Sequence, residues 1–274
     1  MNLLIYRLLA LITVSVVIGF LCGRSDDTRR RYAAALAYVG GFVCGYALLE
    51  PHSWRPTTYW HWLPWLGGVA ALVGPVGLAS GVHFVERWAL IAVMSLAAAW
   101  LLVPTWADLR PSRGALGLAF AGIVFFVTLL LGRLVPRVSG GLLCASVGLS
   151  SLCGTALIAA FVSLRFGLLT AAATAAWAGA SVAVLRDRTK TSLRGLLPVH
   201  AVIFGGLLLA AQVNVALPRL CFVLIAAAPL MLWPFELRPL AKLRGKSAIL
   251  VRLAAVSVPL TIACGLAYQA MRSG

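Results

Sequence analysis

The stretch Gly195–Pro218, GLLPVHAVIFGGLLLAAQVNVALP, runs for 24 residues without one Asp, Glu, Lys or Arg. A helix rises about 1.5 Å per residue and the hydrocarbon core of a bilayer is about 30 Å thick, so about 20 residues cross it. Nine more such runs divide the chain, and the ten are 16 to 30 residues long. They predict an all-α, polytopic transmembrane helix bundle forming a single membrane domain over residues 1–274. The predicted spans, about ten, are residues 2–22, 32–49, 63–83, 88–106, 114–132, 140–163, 166–185, 196–215, 220–235 and 250–270.

The composition excludes a soluble fold of ordinary design. The chain is 62% hydrophobic and 11% charged, whereas soluble domains are about half apolar and about a quarter charged. A surface this apolar would aggregate in water. The net charge of +16 lies in short loops, which leaves no basic domain large enough to hold a nucleic-acid duplex. We therefore expect no nucleic-acid partner, and we expect contact with the lipid bilayer and with its anionic headgroups at the basic loops.

The basic residues also predict an orientation. When the loops are numbered in order, 16 of the 23 Lys and Arg residues flank the odd loops and seven lie on the opposite side. Cytoplasmic loops are enriched in Lys and Arg, so the odd loops should face the cytoplasm and both termini should lie on the non-cytoplasmic side. A basic flank at Arg24–Arg31 favours retention of the first span over its cleavage as a signal peptide. Short loops and the lack of a targeting extension suggest the inner, plasma membrane of a bacterium.

The chain shows no motif that names a reaction. It has no CxxC pair, phosphate-binding glycine loop or nucleophile elbow, so we predict no catalytic residue, metal site or cofactor, and we favour a non-enzyme while leaving enzymatic activity open. The six cysteines all fall inside apolar runs and are expected to be packing residues. The seven acidic residues all lie in loops or at span ends, which argues against proton coupling through a mid-membrane carboxylate.

The third span contains the strongest helix breakers. Pro75 removes a backbone donor, and Gly74 and Gly77 flank it. Carbonyls freed in lipid need a partner or a wet cavity, so these three residues are candidates for solute binding, with an ordinary proline kink as the alternative. Gln212 and Asn214, near the outer end of the eighth span, are the side-chain candidates, and interhelical hydrogen bonding is their alternative role.

The seventh span carries small residues at every fourth position. They are Gly167, Ala171, Ala175, Gly179 and Ala183. Small residues at this spacing let two helix backbones approach closely. The stripe therefore predicts a packing seam, either within the chain or against a second copy or another membrane protein.

The longest outward segment, Glu50–Trp62, is rich in Trp and Tyr, which is typical of the membrane interface. It predicts a shallow interfacial piece followed by a span that starts at about Leu63. We expect the histidines of this segment, His52 and His61, to be solvated.

Three functions stay open at this point. The leading hypothesis is a channel- or transporter-like protein for a small solute. The second is a membrane-embedded enzyme acting on a lipid-linked substrate at the outer face through His52 and His61. The third is a non-catalytic subunit or scaffold that docks through the seventh-span seam.

Overall fold

A computed structural model describes residues 27–51, 55–77, 83–106, 109, 112–186, 191–215, 217–236 and 246–273, together with residues 13, 14 and 17. All regular structure in these residues is helical. The α-helices of the described ranges are α1 (Asp27–Leu49), α2 (Leu63–Gly77), α3 (Phe84–Leu102), α4 (Arg113–Leu134), α5 (Gly140–Phe161), α6 (Leu164–Arg186), α7 (Thr191–Val213), α8 (Arg219–Ala227) and α9 (Lys246–Ser273). Two 3₁₀ segments, Tyr59–Trp62 and Ala228–Glu236, precede α2 and extend α8.

Seven of these helical segments are long and apolar enough to cross a membrane. The fold is therefore all-helical, with the composition of a multi-pass membrane protein. The first predicted span, residues 2–22, lies outside the described residues except at three positions. The number of ten spans and the side on which the termini lie stay predictions.

Helix α7 forms the centre of the bundle. In its membrane-length stretch 83% of the residues are buried, against 22% in α9. It packs against α1, α2, α4 and α6. At Gly206 a β-carbon would stand 2.5 Å from Leu63 and 2.8 Å from Leu102, so the bare backbone at this position admits side chains from α2 and α3. The apolar residues of α7 thus pack against other helices on nearly every side of the helix, and few of them face lipid.

An aromatic cluster holds α1, α6 and α7 together. The hydroxyl of Tyr38 lies 3.4 Å from Nδ1 of His200, and the His200 ring stacks on Phe204 with centroids 5.1 Å apart. Trp177 places its ring 4.5 Å from that of His200 and donates from Nε1 to the carbonyl of Cys144 at 3.1 Å. His200 is buried among helices of the same chain.

Helix α2 begins at Leu63, directly after the 3₁₀ segment Tyr59–Trp62, as the interfacial pattern predicts. It continues through Pro75 to Gly77 without interruption, and residues 78–82 lie outside the described part. A β-carbon at Gly74 would lie 3.2 Å from the Gly195 carbonyl oxygen and 3.1 Å from the Pro198 ring. Gly74 therefore sits where the C-terminal part of α2 presses on the first turns of α7.

Two residues of the small-residue stripe of α6, Gly167 and Ala175, pack within the chain. A β-carbon at Gly167 would stand 2.7 Å from the Cα atom of Ala159 in α5. Ala175 is buried in a small cluster with Ala172, against which Cys44 and Leu49 of α1 pack. Ala171 is half-buried, Gly179 is buried, and the side chain of Ala183 lies outside the described residues. Docking of a second copy through this stripe stays a prediction.

The ninth predicted span changes helix type half-way. Its α-helical part ends at Ala227, and Pro229 and Pro234 lie in the 3₁₀ continuation. Pro229 has no N–H to donate to the carbonyl four residues earlier, that of Ile225. The hydroxyl of Ser150 in α5 donates to this carbonyl instead, and the Ala228 N–H donates to it as well. A neighbouring helix thus supplies the donor that the proline removes, as an apolar solvent requires.

The Ser150 hydroxyl should therefore matter only because residue 229 is proline. We expect Ser150→Ala to lower the free energy of unfolding by about 1 kcal/mol, the usual range for such bonds in membranes being ~0.6–2 kcal/mol. In a Pro229→Ala background the cost should shrink, because the new N–H can donate to Ile225. Thermal unfolding in mild detergent of the wild type, the two single variants and the double variant measures the cost of losing the hydroxyl in both backgrounds. Ser151→Ala is the control, since that buried hydroxyl, in the same helix as Ser150, donates within the helix to the Val147 carbonyl. Equal costs in the two backgrounds would contradict the assignment.

Close contact at the α5–α6 seam makes a second prediction. Gly167→Ala should destabilise the protein by about 1–3 kcal/mol, because the added methyl overlaps backbone that cannot swing aside. Gly122→Ala is the matched control, since a β-carbon there meets no atom within 4 Å. The same melting assay compares them, and equal midpoints for the two variants would show that the helices do not meet at Gly167.

Candidate functional site

The structure separates the predicted solute-binding residues into two groups. Gly74 lies beside Gly195 at the start of α7. Gln212 follows Gly195 by 17 residues, which is about 26 Å along a helix. There it lines an apolar groove that also contains Arg219, while Asn214 donates to the Tyr59 hydroxyl at 2.7 Å. Pro75 and Gly77 belong to the Gly74 group at the other end, so the five residues do not form one site.

A bidentate ion pair lies at the end of the bundle that the charge pattern predicts to be outside. Arg165, at the start of α6, donates from Nε and Nη2 to the two carboxylate oxygens of Glu50, which follows α1; the Nη2 bond is 2.7 Å. The Glu50 side chain is 11% exposed and that of Arg165 is 53% exposed. The hydrogen bond to Glu50 raises the pKa of Arg165. The pair joins two helix ends that are 115 residues apart in sequence.

His61 and Trp60 cover this ion pair. The guanidinium of Arg165 lies 5.5 Å from the Trp60 ring centre, and Trp60 packs edge-on against Phe166. His61 is only 6% exposed, so the expectation that it is solvated is wrong. The turn before α2 folds inward, and the Thr57 hydroxyl lies 3.2 Å from His61 Nδ1. Burial lowers the pKa of His61, against the smaller raising effects of a hydrogen bond with the Arg55 backbone and of the Glu50 carboxylate; the positive charge of Arg165 adds a slight lowering.

The opposite end of the bundle contains a cavity of about 570 Å³ lined by four arginines. They come from the starts of α3 and α7, the end of α4 and the turn after it: Arg87, Arg194, Arg133 and Arg137. The other described residues that line it are apolar or aromatic, and none is acidic: Trp88, Ile91, Leu129, Gly132, Pro136 and Trp233. Ile91 and Leu129 lie about one helical turn inward from the arginines, so the cavity reaches only the outer layer of the bundle at this end.

Two of these guanidinium groups are held against aromatic rings. Arg133 lies 5.7 Å from the Trp88 ring centre, and Arg137 lies 5.3 Å from that of Trp233. Cation–π contacts of this kind fix a guanidinium plane without neutralising its charge. Arg133 and Arg137 therefore hold ordered positive charges at the cavity.

Acidic groups on the same elements have other partners. The Glu86 carboxylate accepts from the His83 backbone N–H at 3.3 Å and so caps the start of α3. Glu236, at the end of the 3₁₀ segment, pairs with Arg252 of α9 at 3.7 Å. Neither carboxylate lines the cavity.

Sequence reasoning missed both the cavity and the ion pair. It used the four cavity arginines only as orientation signals, although all of them flank odd loops and were therefore expected at one end of the bundle. Glu50 and Arg165 were likewise both expected on the opposite side. The sequence showed only that these residues lie on the same side of the membrane. Whether two residues on one side are in contact depends on which helices are neighbours.

The unequal exposure of Glu50 and Arg165 makes a prediction. Arg165→Gln should destabilise the protein more than Glu50→Gln, because it takes the ion-pair partner from a buried carboxylate, while Glu50→Gln leaves a half-exposed guanidinium that water can solvate. We expect a difference of about 1–3 kcal/mol, the range for unsatisfied buried polar groups. Thermal unfolding of the single and double variants in detergent tests it. Equal losses for the two single variants would mean that the Glu50 carboxylate is solvated.

Comparison with known proteins finds no relative of this chain. No protein-family model, no curated protein and no solved structure matches the chain. Function must therefore be inferred from the chemistry at the two ends of the bundle.

Proposed function

We propose that this protein is a transporter-like membrane protein for a small anionic solute, which binds first in the four-arginine cavity. The single observation that carries the proposal is the cavity itself, with four arginines and no acidic residue among the described residues that line it. Arginine stays charged at any physiological pH. A concave site of one charge sign beside low-dielectric walls concentrates counter-ions and raises the rate at which they bind.

The position of the cavity fits binding of the solute from the cytoplasmic side. Its arginines all belong to the odd-loop side, which the positive-inside rule places in the cytoplasm. The other end of the bundle presents Arg165 already paired with Glu50. Anions are therefore attracted to one end of the protein in preference to the other, which is the asymmetry that a binding step from one compartment needs.

The proline-containing part of the third span, which is a continuous helix as far as Gly77, lies next to this cavity. Gly74 touches Gly195, the residue that follows the cavity arginine Arg194. A proline at position 75 frees a carbonyl in the preceding turn. The C-terminal part of α2 is thus a candidate for the moving or solute-lining element beyond the cavity, as the sequence suggests for Gly74, Pro75 and Gly77.

The other two hypotheses receive less support. The outer-face enzyme needs His52 and His61, but His61 is buried and His52 lies outside the described residues. The scaffold hypothesis needs the α6 seam to meet a partner, whereas Gly167 and Ala175 contact α5 and α1 of the same chain. We accordingly favour the anion transporter.

Anion-induced charge movement in reconstituted vesicles tests this function. On a solid-supported membrane, acetate, succinate or phosphate should evoke a current, and the cation choline should not. The double variant Arg133→Gln/Arg137→Gln should reduce the current at least tenfold, because half of the positive groups that line the cavity are lost. Arg272→Gln removes an exposed arginine of α9 that lies on Tyr268, and it should leave the current within twofold of wild type.

Two results would refute the transport function. One is the absence of current with all three anions while the protein remains folded by its melting curve. The other is an undiminished current in the double variant.

A further inference from the structure

We propose that Cys153 of α5 and Cys264 of α9 form a redox-active dithiol, which a quinone dissolved in the membrane oxidises to a disulfide. Neither cysteine lines the four-arginine cavity. The site is therefore separate from the anion-binding end of the bundle, and its oxidation does not depend on transport.

The two sulfur atoms already lie in contact. The Sγ atom of Cys153 is 3.5 Å from that of Cys264, although the two residues are 111 positions apart in sequence. The Cys153 sulfur also lies 4.0 Å from the carbonyl oxygen of Leu260, one turn before Cys264 on α9. The Cys153 side chain thus faces a single turn of α9. Small rotations of the two cysteine side chains can bring the sulfurs to the ~2.05 Å of a disulfide bond.

The exposure of Cys264 distinguishes this pair from packing cysteines. A packing cysteine is enclosed by apolar neighbours, as Cys221 of α8 is. Cys153 is half-buried, and Cys264 is exposed on the surface of α9. The membrane-length stretch of α9 is only 22% buried, the lowest value of the seven candidate spans in the described residues. A molecule dissolved in the surrounding lipid can therefore reach the Cys264 thiol.

The depth of the pair places it within the predicted spans and on one side of them. Cys153 precedes Phe161, the last residue of α5, by eight positions, and Cys264 precedes Arg272 near the end of α9 by eight. Eight residues of helix are about 12 Å long. The charge pattern predicts that these two helix ends lie outside the cytoplasm, and compartments outside the cytoplasm are oxidising.

This position also selects the chemical class of the oxidant. Exchange with a water-soluble disulfide such as oxidised glutathione begins with attack by a thiolate, and an unpaired anion is strongly disfavoured in hydrocarbon. Oxidised glutathione is itself charged and stays in water. A quinone dissolves in the bilayer and takes up protons together with electrons, so the cysteines can react without leaving a charged sulfur in lipid.

The reaction is a balanced two-electron exchange. The S–H bonds of Cys153 and Cys264 break, and one S–S bond forms between the two sulfurs. The two electrons and the two protons pass to the quinone, whose two carbonyl oxygens become the hydroxyl groups of a quinol. Each chain therefore consumes one quinone.

The disulfide would fasten a peripheral helix to the rest of the bundle. Helix α9 packs against α8, the 3₁₀ continuation of α8, and α5. In the reduced protein these contacts alone hold α9 in place beside α5. In the oxidised protein a covalent bond joins the two helices, so the position of α9 depends on the redox state of the quinone pool.

Cross-linking of the full chain in phosphatidylcholine vesicles tests the proposal. The protein is reduced, freed of reductant under argon and treated with decylubiquinone, and the remaining thiols are alkylated. Cyanogen bromide then cleaves after Met231, which separates Cys153 from Cys264 in sequence. Without reductant, the fragment that ends at Met231 should stay joined to the fragment that begins at Leu232, at least tenfold more often than in vesicles without quinone. About one quinol should form per joined chain.

Alanine variants identify the two sulfurs. Cys153→Ala and Cys264→Ala should each abolish both the joined species and the quinol. Cys221→Ala is the matched control, because this cysteine also precedes Met231 but is buried in α8, and it should join as the wild type does. Melting curves show that each variant is folded. Oxidised glutathione at the same concentration should give at least tenfold less of the joined species than the quinone does.

The possible results divide clearly. Quinone-dependent joining that requires both Cys153 and Cys264 supports the proposal. Three results would overturn it: separate fragments from a folded, quinone-treated wild type, joining that persists in either alanine variant of the pair, and equal joining by oxidised glutathione.

Discussion

Hydrocarbon offers no hydrogen-bonding partner, and this constraint organises the whole molecule. Backbone N–H and C=O groups must be satisfied inside the protein, so the described chain forms helices and uses irregular backbone mainly between them. Where proline interrupts the helical ladder, a neighbour compensates: the Ser150 hydroxyl donates to Ile225, the carbonyl that Pro229 leaves without its usual donor. The same constraint explains why the end of this segment tightens into a 3₁₀ helix instead of unwinding in lipid.

Close helix packing then determines where the charged helix ends meet. Apolar burial gives little net attraction between helices in lipid, so small residues and dense packing have to hold them together. Gly206 admits Leu63 and Leu102 to the α7 backbone, and Gly74 brings α2 against Gly195. The second contact sets the start of α7 against the end of α2. At the cavity itself, Arg133 of α4 lies on the Trp88 ring of α3 and so joins these two helices.

Sequence periodicity and charge could predict the helical class, the start of α2 at Leu63 and the common end of the four cavity arginines, because each depends on local composition or on alternation across a bilayer. They could not predict that Glu50 meets Arg165, since this contact depends on α1 and α6 being neighbours. They also failed for His61, which is buried because its turn folds inward. Interfacial composition shows depth in the membrane, whereas burial at that depth depends on the surrounding helices.

The two ends of the bundle differ in how their charged residues are paired, and this contrast bears on the direction of the proposed transport. At one end the Glu50 carboxylate satisfies Arg165, and Trp60 and His61 cover the pair, so little net field reaches the solvent. At the other end, four arginines and no carboxylate of the described residues line one cavity. A mid-membrane carboxylate that could compete for those arginines is missing from the sequence, since all seven acids fall in loops or at span ends. In the proposed function, an anion that enters the cavity meets no carboxylate in the predicted spans, and its further passage depends on apolar walls and on the α2 segment around Gly74, which adjoins Gly195.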